Sequence, residues 1–165
     1  MTQPSSIDIA SATPADVPLV LALITALAEY EKLRHEVVAT EQSLNQALFG
    51  PKPGAEAVIA RVDGTPAGFA LFFHNFSTFM GKPGLYLEDL FVLPEFRGRS
   101  IGKALLQNLA QLALQRDCAR FEWAVLDWNR PARDFYEALG AEAKSDWIIH
   151  RVSGAALQRL ASGGS

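Results

Sequence analysis

Residues 84–106 read GLYLEDLFVLPEFRGRSIGKALL, and this stretch decides the fold. Its first part, to Leu93, is rich in β-forming residues and is ended by Pro94. After the turn through Arg97-Gly98-Arg99, apolar residues return at Ile101, Leu105, Leu109, Leu112 and Ala113, the stripe of an amphipathic helix starting near Ser100. A strand therefore feeds a helix through a Gly/Arg-rich turn. Such a turn gathers free backbone N–H groups at a helix N-terminus, where an anion can rest. Arg97, Gly98, Arg99, Ser100 and Gly102 would supply charge, a hydroxyl and flexible backbone. The other reading is a plain turn with solvated arginines, and local spacing does not separate the two. A Walker A loop ending at Gly102-Lys103 is excluded twice, by Arg97 where glycine is needed and by Ala104 where Ser or Thr is needed. The G-x-G-x-x-G pattern of a dinucleotide fold is not supplied either.

Upstream, from Ala55, a period-two pattern puts Ala57, Ile59 and Arg61 on one side and Val58, Ala60 and Val62 on the other, until Asp63-Gly64 stops it. The return arm, 67–76, is apolar on both faces, as a central strand should be, and 77–84 reads as a Gly/Pro loop. Residues 7–12 alternate like a half-buried strand. Thr13-Pro14-Ala15-Asp16 then starts a helix, Thr13 as cap and Pro14 as first helical residue, expected to reach about Leu33. A shorter helix is expected from the Thr40 cap to Gly50. Downstream come a strand at 120–126 and a helix opened by Asn129-Arg130-Pro131 and closed at Gly140. A strand at 143–152, a helix at 153–161 and a flexible tail at 162–165 complete the chain. The order β-α-α-β-β-β-α-β-α-β-α describes an α/β chain, a mixed sheet with helices on both faces, in a single domain over 1–165.

Composition narrows the function. With 165 residues, 49% of them hydrophobic, the chain can bury one core. Its net charge of −3 and scattered Arg and Lys offer no basic patch, so no nucleic-acid partner is expected. Cys118 is the single cysteine, which excludes an intrachain disulfide and a cysteine-built zinc site. Residues 1–9 carry no signal-peptide pattern, and no apolar run approaches the ~18 residues a membrane span needs, so a cytoplasmic protein without membrane attachment is expected. His35, His74 and His150 show no ligand spacing, and no metal site is read.

The motifs carry a resemblance. Arg97-Gly98-Arg99-Ser100-Ile101-Gly102 is similar to the acetyl-CoA pyrophosphate loop of the GNAT acetyltransferases, Q/R-x-x-G-x-G/A, with Ser100 standing where the motif has its first glycine. Tyr86-Leu87-Glu88-Asp89-Leu90-Phe91-Val92 resembles the spermidine/spermine (diamine) branch, which includes thialysine acetyltransferases. So do residues 128–136 and Leu27-Ala28-Glu29-Tyr30-Glu31, and the likeness covers nearly the whole chain. It implies the GNAT-type, mostly antiparallel sheet, acetyl-CoA as cosubstrate, a small cationic primary amine as acceptor, and a homodimer.

For the coenzyme, the resemblance implies backbone contacts from Leu90, Phe91 and Val92, and a pyrophosphate loop from Arg97 through Gly98, Arg99, Ser100, Ile101 and Gly102 to Lys103. It also implies pantetheine contacts near Asn129, Pro131 and Ala132, and Tyr136 at the sulfur. Acetyl transfer needs a neutral amine, whereas a free alkylamine has a pKa near ~10.4, so a base must take a proton. Glu88 is the candidate base, its other reading being a solvated strand residue. Tyr136 is the candidate acid for the leaving thiolate, its other reading being packing with Phe135 and Leu139. Tyr30, Glu31, Glu88, Asp89 and Asp146 are candidate acceptor ligands, and Trp123 either lines the acceptor pocket or fills the core. Competing functions are acetylation of another amine, such as an aminoglycoside or a protein N-terminus, and non-catalytic acetyl-CoA binding.

Overall fold

The computed structural model describes residues 6–164. They divide into one compact unit ending at Ala124 and a second beginning at Val125.

The first unit holds a five-stranded sheet in sequence order: β1 (Ile7–Ser11), β2 (Glu56–Val62), β3 (Thr65–Ser77), β4 (Lys82–Val92) and β5 (Phe121–Trp123). The first four run antiparallel, and β5 lies parallel to β4. The expected mixed, mostly antiparallel sheet is thus present. β2 and β3 form a hairpin closed by Asp63-Gly64 at φ 48° and 81°, the turn geometry that follows the twist of the paired strands. The loop expected at 77–84 is shorter than read, because β3 and β4 stay paired out to Ser77 and Lys82.

One face is covered by α1 (Val17–Tyr30) and α2 (Glu41–Phe49). Val17, Val20, Leu23 and Leu27 of α1 join Leu44 and Leu48 of α2 over Ala57, Ile59, Phe69 and Phe91. α3 (Ile101–Gln115) packs on β3 and β4 and buries Ile101, Leu105, Leu106 and Leu109. The starts of the first two helices are legible chemistry. Thr40 Oγ1 accepts from Ser43 N at 3.1 Å, and Ser43 Oγ accepts from Thr40 N at 2.9 Å, a reciprocal cap that satisfies orphan donors. Asp16 accepts from Thr13 N at 2.8 Å and from Arg61 Nη2 at 2.9 Å. The Thr13 backbone hydrogen bond is the main reason its carboxyl sits below the usual range.

Three boundaries differ from expectation. The helix read from Thr13 to Leu33 begins as a 3₁₀ turn at Pro14–Asp16 and stops at Tyr30. There Lys32 takes φ 62° and Leu33 N donates to Ala28 O at 2.7 Å, a closing bond that needs a left-handed residue just past the helix. The strand read at 120–126 is confined to Phe121–Trp123, the residues that pair with Leu85, Tyr86 and Leu87. The strand read at 143–152 does not form; the segment is irregular. Its apolar run suits a strand, but a strand exists only where an edge supplies hydrogen bonds, and none pairs with it among the described residues.

The second unit contains α4 (Arg130–Ala138) and α5 (Gly154–Ala161). Of the tail expected at 162–165, Ser165 lies outside the described residues, while Ser162 and Gly164 N–H groups donate back to Gln158 O and Arg159 O.

Gly68 sets a tight approach between β3 and β4: a Cβ there would lie 2.5 Å from Phe91 O and 3.2 Å from Val92 Cα. Overpacking against backbone cannot be relieved by a rotamer change, so Gly68→Ala should destabilise the fold by about 1–3 kcal/mol. A urea melt of the variant beside the parent chain measures it.

Candidate active site

The register of β4 on β3 contains one irregularity, and it falls inside the motif. Leu87 pairs with Phe72 and Asp89 pairs with Leu71, so Glu88 is an extra residue, a β-bulge. The consequence is a change of face. Leu87 lies opposite Phe72, which lines a cavity with Asn108 and Leu112 of α3. Asp89 lies opposite Leu71, which packs with the α1/α2 core, as does Phe91 two residues on. Without the bulge, alternation would send Asp89 to the α3 side with Leu87.

Glu88 itself is exposed and Asp89 is half-buried. Asp89 feels the charge of Glu88 and that of Glu31, just past the end of α1. Burial first, then those two charges, raise its carboxyl from the ordinary 3.8 to about 6. Burial also pushes Glu31 up. Tyr30 lies beside Phe91, ring centroids 6.3 Å apart. The structure thus brings together Tyr30, Glu31, Glu88 and Asp89, four of the residues expected to face an acceptor. Trp123 is placed differently: it pairs with Leu87, on the other face from Asp89, and meets Phe121 edge-on at 5.0 Å.

The turn after β4 has the form of an anion cradle. Gly98 takes φ 75° and Ser100 takes φ 61°, ψ 18°, both left-handed. Ser100 is the N-cap of α3 without a side-chain cap bond, so the first-turn N–H groups are left to the helix dipole and whatever it attracts. Ile101 is buried in the core, and only its backbone can serve a ligand. Lys103 and Arg99 are exposed. Arg97, expected to carry charge to the anion, is exposed and lies across two rings. Its guanidinium lies 4.9 Å from the Tyr30 ring centroid and 5.5 Å from that of Phe91, and its Nε donates to Val92 O at 3.2 Å. It ties the loop to the Tyr30 and Phe91 rings.

Within the second unit, Asn129 caps α4, its Oδ1 accepting from Ala132 N at 3.3 Å. Pro131 stands in the first turn, and Tyr136 lies beside Phe135 with centroids 5.5 Å apart. Asp146 is exposed in the irregular segment.

A cavity of about 780 Å³ opens elsewhere, between α3, β2 and the 49–55 segment. None of the expected site residues lines it. Its charges are spent on one another: Arg116 holds Glu56 through two bonds of 2.6 and 2.8 Å and meets His74 Nε2 at 3.3 Å. Sequence reading missed the bulge and Gly68; neither has a signature short of the paired strands themselves.

Comparison with known proteins bears on the family and the fold. Residues 22–141 match the model of the acetyltransferase (GNAT) family. The chain is 37% identical to a thialysine N-epsilon-acetyltransferase of Bos taurus over 164 residues, covering 93% of this chain and 96% of that protein. It is 32% identical to an L-ornithine N5-acetyltransferase of Arabidopsis thaliana, covering 90% and 85%. Among solved structures, an integron cassette protein from the mobile metagenome of V. cholerae superposes with a TM-score of 0.80 at 27% identity, covering 94% and 98%.

Two stability outcomes follow. A left-handed serine is strained where glycine is not, so Ser100→Gly should raise stability by about 0.5–1 kcal/mol, read as an increase in Tm. Folding raises the Asp89 pKa, so the folded chain binds its proton more tightly and stability falls as pH rises from about 4 to 6. Asp89→Asn should therefore be more stable than the parent at pH 7.5 by on the order of 1–3 kcal/mol, with the gap closing below pH 4 in thermal melts.

Proposed function

The chain belongs to the acetyltransferase (GNAT) family, and from that premise we propose that it transfers the acetyl group of acetyl-CoA to the side-chain amine of a small cationic acceptor. Among polyamines, diamines and lysine-like molecules, the lysine-like class is favoured by the thialysine and ornithine acetyltransferase relatives. The observation that carries the acceptor's charge is the acidic face formed by Glu31, Glu88 and Asp89, with half-buried Asp89 held beside two further carboxylates. An ammonium group entering there meets negative charge in partly desolvated surroundings, where attraction is strongest.

In this reading the left-handed turn at Gly98 and Ser100 and the first turn of α3 hold the coenzyme pyrophosphate. Leu90 and Val92 offer backbone groups to the pantetheine and thioester, and the Leu90 N–H receives the negative charge developing on the carbonyl oxygen. A carboxylate of β4, Glu88 in the sequence reading, takes the amine's proton. The lone pair so freed attacks the thioester carbon, the C–S bond breaks, and the Tyr136 hydroxyl protonates the departing thiolate. Asn129, Pro131 and Ala132 border the pantetheine arm. The family match runs from 22 to 141, across the division at Ala124, which supports one functional domain over both units. A homodimer and a cytoplasmic setting complete the proposal.

The test is free-thiol release from acetyl-CoA with thialysine, lysine, ornithine, spermidine, putrescine, an aminoglycoside and a peptide as acceptors. Turnover should be highest with the lysine-like amines. Tyr136→Phe should lower kcat by about 10- to 100-fold, and the double variant Glu88→Gln, Asp89→Asn by more than about 100-fold. Preference for the aminoglycoside or the peptide would reassign the acceptor. Coenzyme binding without turnover on any amine would make the chain a binding module instead.

A further inference from the structure

Arg97 is an exposed cation close to an acidic face that does not neutralise it. Among the described residues no carboxylate lies within ion-pair distance of its guanidinium, although Glu31 follows Tyr30 directly. It rests on rings instead, 4.9 Å from the Tyr30 centroid and 5.5 Å from that of Phe91, with Nε donating to Val92 O at 3.2 Å. Resting on the acetyl-transfer reading above, we infer that Arg97 holds the carboxylate of an amino-acid acceptor whose side-chain amine is received by Glu31, Glu88 and Asp89, and so selects lysine-like molecules over diamines and polyamines.

Stacking engages the faces of a guanidinium and leaves its in-plane N–H donors available. At Arg97 the Nε donor is spent on Val92 O, which fixes the rotation of the plane. No described residue accepts from Nη1 or Nη2, the pair of donors whose spacing matches the two oxygens of a carboxylate. The spacing to the acidic face suits the same molecule. Asp89 and Phe91 are two residues apart on β4 and share the α1 face, roughly 6–7 Å along the strand. Tyr30 and Glu31 are consecutive at the end of α1, so the ring under Arg97 and one carboxylate of the acidic face are positioned together. A lysine-like molecule carries an amine and a carboxylate at opposite ends of a chain of that order. A diamine or polyamine is cationic at both ends and is repelled at Arg97, which supplies the discrimination. The coenzyme pyrophosphate loses little by this assignment, because Arg99, Lys103 and the first-turn N–H groups of α3 are exposed or uncapped at the loop.

The experiment is kcat/KM by thiol release for lysine and thialysine, each beside its carboxamide, with the parent chain, Arg97→Gln and Arg97→Lys. The carboxamide keeps both amines and loses only the negative charge. The ratio of acid to amide within one variant cancels any change in coenzyme binding or in the folded fraction, so a loop that merely loosens does not move it. The parent should favour the acid by about 10-fold, and Arg97→Gln should bring the ratio to about 1. Arg97→Lys should fall between, since it keeps the charge without the planar fork. A parent ratio near 1 overturns the inference and leaves the acetyl-transfer reading standing. So does an unchanged ratio in Arg97→Gln, whether or not KM for acetyl-CoA rises; a rise there returns Arg97 to the pyrophosphate. No thiol release by the parent chain with any amine overturns the acetyl-transfer reading and this role together.

Discussion

One extra residue in β4 organises the first unit. Strand pairing enforces strict alternation of faces, so the slip at Glu88 reverses the facing of all that follows it on the strand. Before the bulge, Leu85 and Leu87 are buried on the α3 side; after it, Asp89 and Phe91 point to α1 and α2. Phe91 can therefore join the core of Val20, Leu23, Ile59 and Phe69, and burial of that ring holds the irregular register against straightening. The same rotation that completes the core delivers a carboxylate to the α1 face.

Two helix ends are aimed at this strand. α1 stops at Tyr30 because Lys32 adopts the left-handed conformation and Leu33 closes back on Ala28. That stop leaves Tyr30 and Glu31 by Phe91 and Asp89 instead of continuing past them. α3 starts where Gly98 and Ser100 reverse the chain, and its first N–H groups face the turn. Arg97 joins the two, stacked over Tyr30 and bonded to Val92 O. Negative charge gathers on one side of β4, and the positive end of the α3 dipole lies past its end. The serine at position 100 adopts a left-handed conformation that glycine adopts freely.

Much of this was legible beforehand. Thr13-Pro14, Thr40, Asp63-Gly64 and Asn129-Arg130-Pro131 each announce an element boundary through bonds made within a few residues. The strand, turn and helix around Arg97 follow from local pattern and from resemblance, as do the mixed sheet and the acetyltransferase family. Segment 143–152 shows where local reading stops: its composition favours a strand, yet no edge among the described residues pairs with it. Trp123 is a similar case, placed by its pairing with Leu87 and not by its type.

What the amino-acid order determined by itself was therefore most of the helices and strands with their caps and turns, because those depend on neighbours a few positions away, and, through resemblance, the family. What only the tertiary structure decided was which carboxylate of Glu88-Asp89 is buried, against which helix, and how strongly it holds a proton. Those properties depend on the register of β4 against β3 and on the water excluded by α1, contacts made by residues distant in sequence.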